Sequence, residues 1–187
     1  MIAEETYSPA ARAMHWAGAA LVLVVFASAW APVGEDSELA GLVRLHVHRL
    51  AGMLVWLLTL ARLLRRQLGR SPALPAALPA WQRIAARVNL AVLYALLLAQ
   101  PLLGLVASQA AGDTVAPFGL FTVPTLVGRN RALAHACFAW HETVATLLLA
   151  LVALHVAAAL YHHMVRRDGV LAGMLPALRR MDARPGG

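Results

Sequence analysis

The sequence predicts an all-α membrane protein, a bundle of four transmembrane helices with both termini in the cytoplasm. Hydrophobic residues make up 60% of the 187 residues and charged residues 13%, against about 25% charged residues in soluble domains. Four apolar stretches are each close to the roughly 20 residues that a membrane-spanning helix needs. All the cationic side chains are arginine, and they cluster between and beyond those stretches.

The four predicted spans are consecutive and separated by short connections. They cover about residues 13–31, 45–64, 88–108 and 137–164. Pro101 lies inside the third span, where a kink is expected because proline lacks the N–H of a helical hydrogen bond. No small-residue cleavage site follows the first apolar stretch at a suitable distance, so this stretch is predicted to be a retained helix. The short connections predict one domain over residues 1–187.

The distribution of arginines predicts the orientation. Five arginines lie in connection 65–87 and five after residue 165, whereas connection 109–136 carries two. Loops rich in arginine stay on the cytoplasmic side, so the connections 32–44 and 109–136 are predicted to face outward. A pI of about 11.2 also occurs in nucleic-acid-binding proteins. Arginines at the ends of apolar stretches instead favour a topology signal and contact with lipid headgroups, and no nucleic-acid partner is expected.

Histidines inside the apolar stretches are the strongest indication of function. An ionisable residue in a bilayer is costly and usually faces the bundle interior beside a partner. His141 and His155 are fourteen residues apart, so they share one helix face about 21 Å apart along the axis. The predicted orientation places His15 at the depth of His155, and His46 or His48 at the depth of His141. A single such histidine would be explained by a structural hydrogen bond, but two couples at two depths indicate two sites.

His48 is the better partner for His141. Residues two apart on a helix point in nearly opposite directions, so only one of His46 and His48 can face the bundle. Gly52 lies one turn after His48, where a flat macrocycle would need a small neighbour, whereas Leu50 lies one turn after His46. We call His48 and His141 the outer pair, and His15 and His155 the inner pair.

Two facing imidazoles in a lipid-embedded bundle suit axial ligation of haem iron. Zinc is the alternative, but it usually takes three or four protein ligands, and each pair offers two. Cys137, one turn before His141, could add a third donor at the outer pair. It is the only cysteine, which excludes an intrachain disulfide and a covalent C-x-x-C-H haem site.

Several stretches resemble the bacterial cytochrome b561 family. They are YSPAARAMHW, HRLAG from His48 followed by Arg62, FGLFTVPTLVG, WHETVATLLLALVALHVAAALYHH and RDGVLAGMLP. The resemblance implies a multi-pass protein of the bacterial inner (plasma) membrane that holds two non-covalent b haems, with iron ligated by the inner and outer pairs. It also implies an oxidoreductase that passes electrons to membrane quinone, with ubiquinone the expected acceptor. A member of the family takes these electrons from periplasmic superoxide.

Further residues are predicted to support the two sites. Arg12 and Arg62, together with Arg166, are candidates to neutralise the propionates of the inner haem. His162, two turns after His155, could hydrogen-bond a propionate or a quinone headgroup. Arg49, Arg129 and Arg131 lie on the predicted outer side and would attract an anionic donor such as superoxide. Contact with lipid headgroups is the alternative for these three arginines.

Two other functions compete with a stand-alone oxidoreductase. The chain could be the dihaem b-type anchor of a larger respiratory enzyme, although its short outer connections offer little docking surface. It could also be a haem-free transporter or proton relay that uses its histidines as carriers. The spans carry no aspartate except at helix ends, and Glu142 is the only carboxylate near one pair, which disfavours that function.

Overall fold

The computed structural model describes residues 7–30, 38–68, 79–167 and 170–175. They form four long helices, α1 (Pro9–Trp30), α2 (Glu38–Leu68), α3 (Ala80–Ala111) and α4 (Arg131–Tyr161), and a short α5 (Val170–Met174). The described ranges hold no strand, and their four long helices are apolar enough to cross a membrane. The predicted all-helical, four-span fold is therefore confirmed, while the orientation and the single domain stay predictions. Residues 69–78 of connection 65–87 and the arginines at 179–184 lie outside the described residues.

The helices extend beyond the predicted spans. α2 has 31 residues and α3 has 32, so each is about 47 Å long, more than the roughly 30 Å of a hydrocarbon core. Residues 38–44, 65–68 and 80–87, predicted as parts of connections, are helical. Hydropathy identifies only the portion of a helix that meets lipid, whereas charged helical turns continue into the headgroup layer.

Local sequence sets the helix ends. The Ser8 hydroxyl accepts a hydrogen bond from the N–H of Ala11 (3.3 Å), and Pro9 occupies the first helical position, where a missing N–H costs nothing. Gly112 ends α3 in the left-handed region, with φ of 105°, a conformation that favours glycine. The Asn130 side chain accepts a hydrogen bond from the N–H of Leu133 (3.1 Å) and begins α4. Capping residues therefore set the start of α1, the end of α3 and the start of α4.

The helices pack as two pairs. α1 packs along α2 and α3 along α4, with a smaller contact between α2 and α3. On α2 the buried residues are Ala51, Val55 and Thr59, a stripe spaced one turn apart. In the described part of the chain, α4 approaches α1 and α2 mainly through side chains. The seam between α4 and the α1–α2 pair is where the histidines lie.

Candidate functional site

Two histidine couples span the seam between α4 and the α1–α2 pair. The ring centres of His15 on α1 and His155 on α4 are 6.3 Å apart. Those of His48 on α2 and His141 on α4 are 6.1 Å apart. The structure thus brings together both couples that the sequence suggested, on three helices and at two levels.

The outer pair is held by main-chain carbonyl groups. Nδ1 of His48 lies 3.1 Å from the carbonyl oxygen of Val25 on α1, and Nδ1 of His141 lies 3.1 Å from that of Gln100 on α3. A carbonyl oxygen only accepts, so each Nδ1 carries the proton. Each Nε2 then presents a lone pair, as a metal-ligating histidine requires.

α3 forms a close-fitting support for the ring of His141. The Gln100 side-chain amide donates to the carbonyl oxygen of His141 (2.9 Å). With the bond from the His141 ring to the Gln100 carbonyl oxygen, two hydrogen bonds join these residues. A Cβ on Gly104 would lie 3.0 Å from Cε1 and 3.1 Å from Nδ1 of His141, so a larger residue there would push the ring aside. Neither Gln100 nor Gly104 was predicted from the sequence. The signal that could have found them is a glutamine beside Pro101, followed by a glycine one turn later, in an aliphatic span.

The inner pair has a cation beside it. The Arg62 guanidinium lies 3.3 Å from Nδ1 of His15 and within 3.6 Å of the position that a Cβ on Gly18 would occupy. It also lies 5.9 Å from the centre of the Tyr94 ring. Arginine only donates hydrogen bonds, so Nδ1 of His15 accepts in this arrangement. Arg62 therefore lies beside the inner pair, and its predicted role toward a haem propionate stays a prediction.

His46 points away from the outer pair. Its Nδ1 accepts a hydrogen bond from the N–H of Phe118 (3.1 Å), and its ring lies 5.1 Å from that of Phe118. A Cβ on Gly52 would meet nothing within 4 Å, which leaves open space one turn from His48. Both observations agree with the choice of His48 over His46.

The three outer arginines lie in two different environments. Arg49 forms an ion pair with Asp113 (2.5 Å) and donates to the Ser108 hydroxyl (3.2 Å), and its side chain is 13% exposed. It is therefore neutralised and largely covered, which leaves little of its charge for an approaching donor. Arg129 and Arg131 are exposed and line a surface pocket of about 240 Å³ with His135 and Phe138.

Arg12 and His162 lie near the inner pair along their helices. Arg12 is half-buried, one turn before His15 on α1. His162 begins a π-helical turn, His162–Arg166, that follows α4, and its ring lies 6.0 Å from that of Tyr161. The predicted contacts of these two residues with a haem propionate or a quinone stay predictions.

The donor set suits a two-ligand metal centre. Within the described ranges, no group of three or more histidine, cysteine, aspartate or glutamate side chains is arranged to hold a metal ion. Zinc would lack its third and fourth ligands at either pair, and Cys137 does not complete such a group at the outer one.

Comparison with known proteins identifies the family. The family model described as prokaryotic cytochrome b561 matches residues 6–177. The chain belongs to the prokaryotic cytochrome b561 family. It is 33% identical to cytochrome b561 homolog 1 of Escherichia coli (strain K12) over 167 residues, covering 87% of this chain and 93% of the relative. It is 31% identical to cytochrome b561 homolog 2 of the same organism over 173 residues, covering 91% and 92%.

A third relative carries a functional name. The chain is 29% identical to the probable superoxide oxidase CybB of Yersinia pestis over 174 residues, which cover 89% of this chain and 93% of the relative. As a cytochrome b561, this chain is a multi-pass bacterial membrane protein for electron transfer that uses b-type haem.

The histidine geometry fits that cofactor. A metal–imidazole bond is about 2 Å long, and the ring centre lies about 1 Å beyond the nitrogen, so imidazoles on opposite sides of one metal have centres about 6 Å apart. Both pairs match this spacing. This cytochrome b561 therefore has a fitting donor set at two levels.

Proposed function

We propose that this cytochrome b561 carries electrons across the bacterial inner membrane through two b haems, from an outer donor to membrane quinone. The outer pair would hold the iron of one haem and the inner pair the iron of the other. The observation that carries the proposal is the spacing of about 6 Å between ring centres in both pairs. The two pairs are separated by the fourteen residues between His141 and His155, about 21 Å of helix.

The protein's own residues would bind the haems, orient the ligand rings and keep water out of the seam. When bound, haem supplies a centre that gains and loses one electron at a time. Val25 and Gln100 fix the outer ring nitrogens, which sets the tautomer and the ring direction before the cofactor arrives. The apolar helices exclude water from the seam. Arg12 and Arg62 supply positive charge for propionates at the inner pair, and His162 is a candidate for a propionate or for a ubiquinone headgroup.

We predict that both termini face the cytoplasm. A reporter enzyme that is active only in the periplasm should be inactive when fused after residue 187. The same reporter inserted within connection 120–128 should be active, because that connection carries few arginines and faces outward. The measurement is reporter activity in whole cells, normalised to the amount of fusion protein. The opposite pattern would mean that the bundle is inserted the other way round, with the outer pair near the cytoplasm and the inner pair near the periplasm.

Superoxide is the donor we propose. The exposed Arg129 and Arg131 line a pocket with His135 between the end of α3 and the start of α4, and such a positive concavity concentrates small anions. The name of the Yersinia pestis relative supports the same donor. Two superoxide ions release two molecules of O₂ and two electrons. With two protons, these electrons reduce one quinone to quinol.

Stopped-flow mixing of the oxidised protein with superoxide tests this donor. We expect rapid reduction followed by quinone-dependent reoxidation, with a rate that falls as salt screens the arginines. Arg129→Gln together with Arg131→Gln should lower the second-order rate by about tenfold, since steering by charge changes on-rates by factors of 10 or more. Arg87 is exposed on α3 on the other side of the predicted bundle, and it provides the matched control as Arg87→Gln. Equal rates in all three proteins would assign Arg129 and Arg131 to lipid headgroups instead.

A membrane anchor of a larger respiratory oxidoreductase is the alternative role within electron transfer. It predicts that the chain co-purifies with a soluble redox subunit and that the isolated chain does not reduce quinone with superoxide. The pocket at Arg129 and Arg131 favours the stand-alone role, because a site for a small anion has no purpose beneath a docked subunit. A haem-free transporter would give a colourless protein.

A further inference from the structure

The two histidine pairs differ in the charge around them. Beside the outer pair, Arg49 follows His48 in sequence and is bound to Asp113, so this cation is matched by an anion. Glu142 follows His141 directly and adds an exposed negative charge at the same level. One cation, Arg49, thus lies against two exposed anions, so the net charge beside the outer pair is not positive.

Beside the inner pair, Arg62 is half-buried and touches His15. In the part of the chain that the structure describes, no aspartate or glutamate forms an ion pair with Arg62. Its charge faces the ring of Tyr94 and the histidine instead of an acid. A half-buried charge is screened less than an exposed one, so the inner pair lies in a more positive environment than the outer pair.

The hydrogen bonds of the ligating histidines also favour an electron at the inner pair over one at the outer pair. Both imidazoles of the outer pair donate from Nδ1 to main-chain carbonyl oxygens, those of Val25 and Gln100. Such bonds raise the basicity of a metal-ligating histidine, which stabilises the oxidised metal. Nδ1 of His15 faces the Arg62 guanidinium instead of a carbonyl oxygen, so within the described residues it lacks an acceptor that would raise its basicity in this way.

We infer that the chain's own charges make the inner haem the better electron acceptor, so that electrons move energetically downhill from the outer pair to the inner pair. This inference rests on the proposed ligands. A reduced haem carries one more negative charge than an oxidised haem, and a nearby unpaired cation stabilises it. Arg62 and the Arg49–Asp113 ion pair are thus positioning and tuning residues for the direction of transfer, in addition to any part in binding.

Iron ligation changes one contact of Arg62. With Nε2 of His15 bound to iron, the remaining proton lies on Nδ1, and the guanidinium has to release that nitrogen. The charge nevertheless stays at the inner site, because Arg62 is carried by α2 next to Gly18 of α1. A propionate at the inner site would pair with Arg62, but each haem brings its own propionates, so the difference between the two sites still comes from the charges of the chain.

Redox potentiometry of the purified dihaem protein tests the inference. Two one-electron waves are expected, and single-haem variants assign them: His48→Ala leaves the inner haem, and His15→Ala leaves the outer haem. The inner wave should have the higher midpoint potential. Arg62→Gln should lower the inner potential by about 59 mV, a tenfold change in a one-electron equilibrium, and Arg62→Lys should keep it near the wild-type value.

A second variant moves the other potential. Asp113→Asn removes the carboxylate that neutralises Arg49, so it should raise the midpoint potential of the outer haem. The difference between the two midpoint potentials should become smaller, while that of the inner haem stays the same. If Arg62→Gln lost the inner haem, the shift of the outer midpoint potential in Asp113→Asn would decide whether the inference holds. Two haems with the reverse order of potentials, or no shift in either variant, would overturn this inference alone. Fewer than two haems per chain would overturn the proposed function and the inference with it.

Discussion

Replacing either histidine of the outer pair by alanine should halve the haem content, from two per chain to one. The ring centres of His48 and His141 are 6.1 Å apart, so removing one ring leaves the iron between them with a single protein ligand. A haem held by one imidazole in a detergent-solubilised bundle should be lost during purification. The measurement is the ratio of haem, as its pyridine complex, to protein, with the reduced spectrum of the remaining haem.

His46→Ala is the matched control, because it lies two residues from His48 on the same helix. Its ring bonds to the Phe118 N–H, so alanine there should loosen that turn and keep both haems. A haem lost from this variant but not from His48→Ala would mean that His46, and not His48, is the ligand of the outer haem.

Double variants make the pairing itself testable. His48→Ala combined with His141→Ala should lose no more haem than either single change, because both residues hold one group. His48→Ala combined with His15→Ala should lose both haems, because these residues belong to different pairs. Non-additivity within a pair and additivity between pairs is the signature of two shared ligand sets.

Gly104→Leu should remove or severely distort the outer haem while leaving the inner one in place. A Cβ at this position would lie 3.0 Å from the His141 ring, which is tighter than ordinary van der Waals contact. The ring cannot yield freely, because its Nδ1 is bonded to the Gln100 carbonyl oxygen. Alanine in place of glycine usually favours a helix by roughly 0.5–1 kcal/mol, but overpacking costs about 1–3 kcal/mol, so Gly104→Ala should weaken the site despite its better helix propensity.

The readouts are haem content and the electron paramagnetic resonance of the low-spin ferric haem, which depends on the relative angle of the two imidazoles. Gly41→Leu on α2 is the control, since a Cβ there would meet nothing within 4 Å. We expect full haem content in Gly41→Leu, a shifted outer resonance in Gly104→Ala, and loss toward one haem in Gly104→Leu. A normal outer signal in Gly104→Leu would show that α3 does not fix His141.

The sequence alone determined the helical membrane fold and the histidine couples. Apolar length specifies spans because the bilayer requires internally satisfied backbone hydrogen bonds, and the fourteen-residue spacing of His141 and His155 is fixed by helix geometry. Arginine placement then predicted which histidines share a depth. These properties follow from the period and composition of single helices, which a sequence expresses directly.

The tertiary structure decided what surrounds each pair. It showed that Gln100 and Gly104 support His141, that Asp113 neutralises Arg49, and that Arg62 touches His15. Sequence could not distinguish the surroundings of Arg49 from those of Arg62, because both are arginines within the apolar stretch of α2. Their difference depends on which residue of another helix lies opposite, and therefore on how α2 and α3 rotate and slide against each other. Charge and close packing at a site are pairwise properties between helices, whereas hydropathy and spacing belong to one helix at a time.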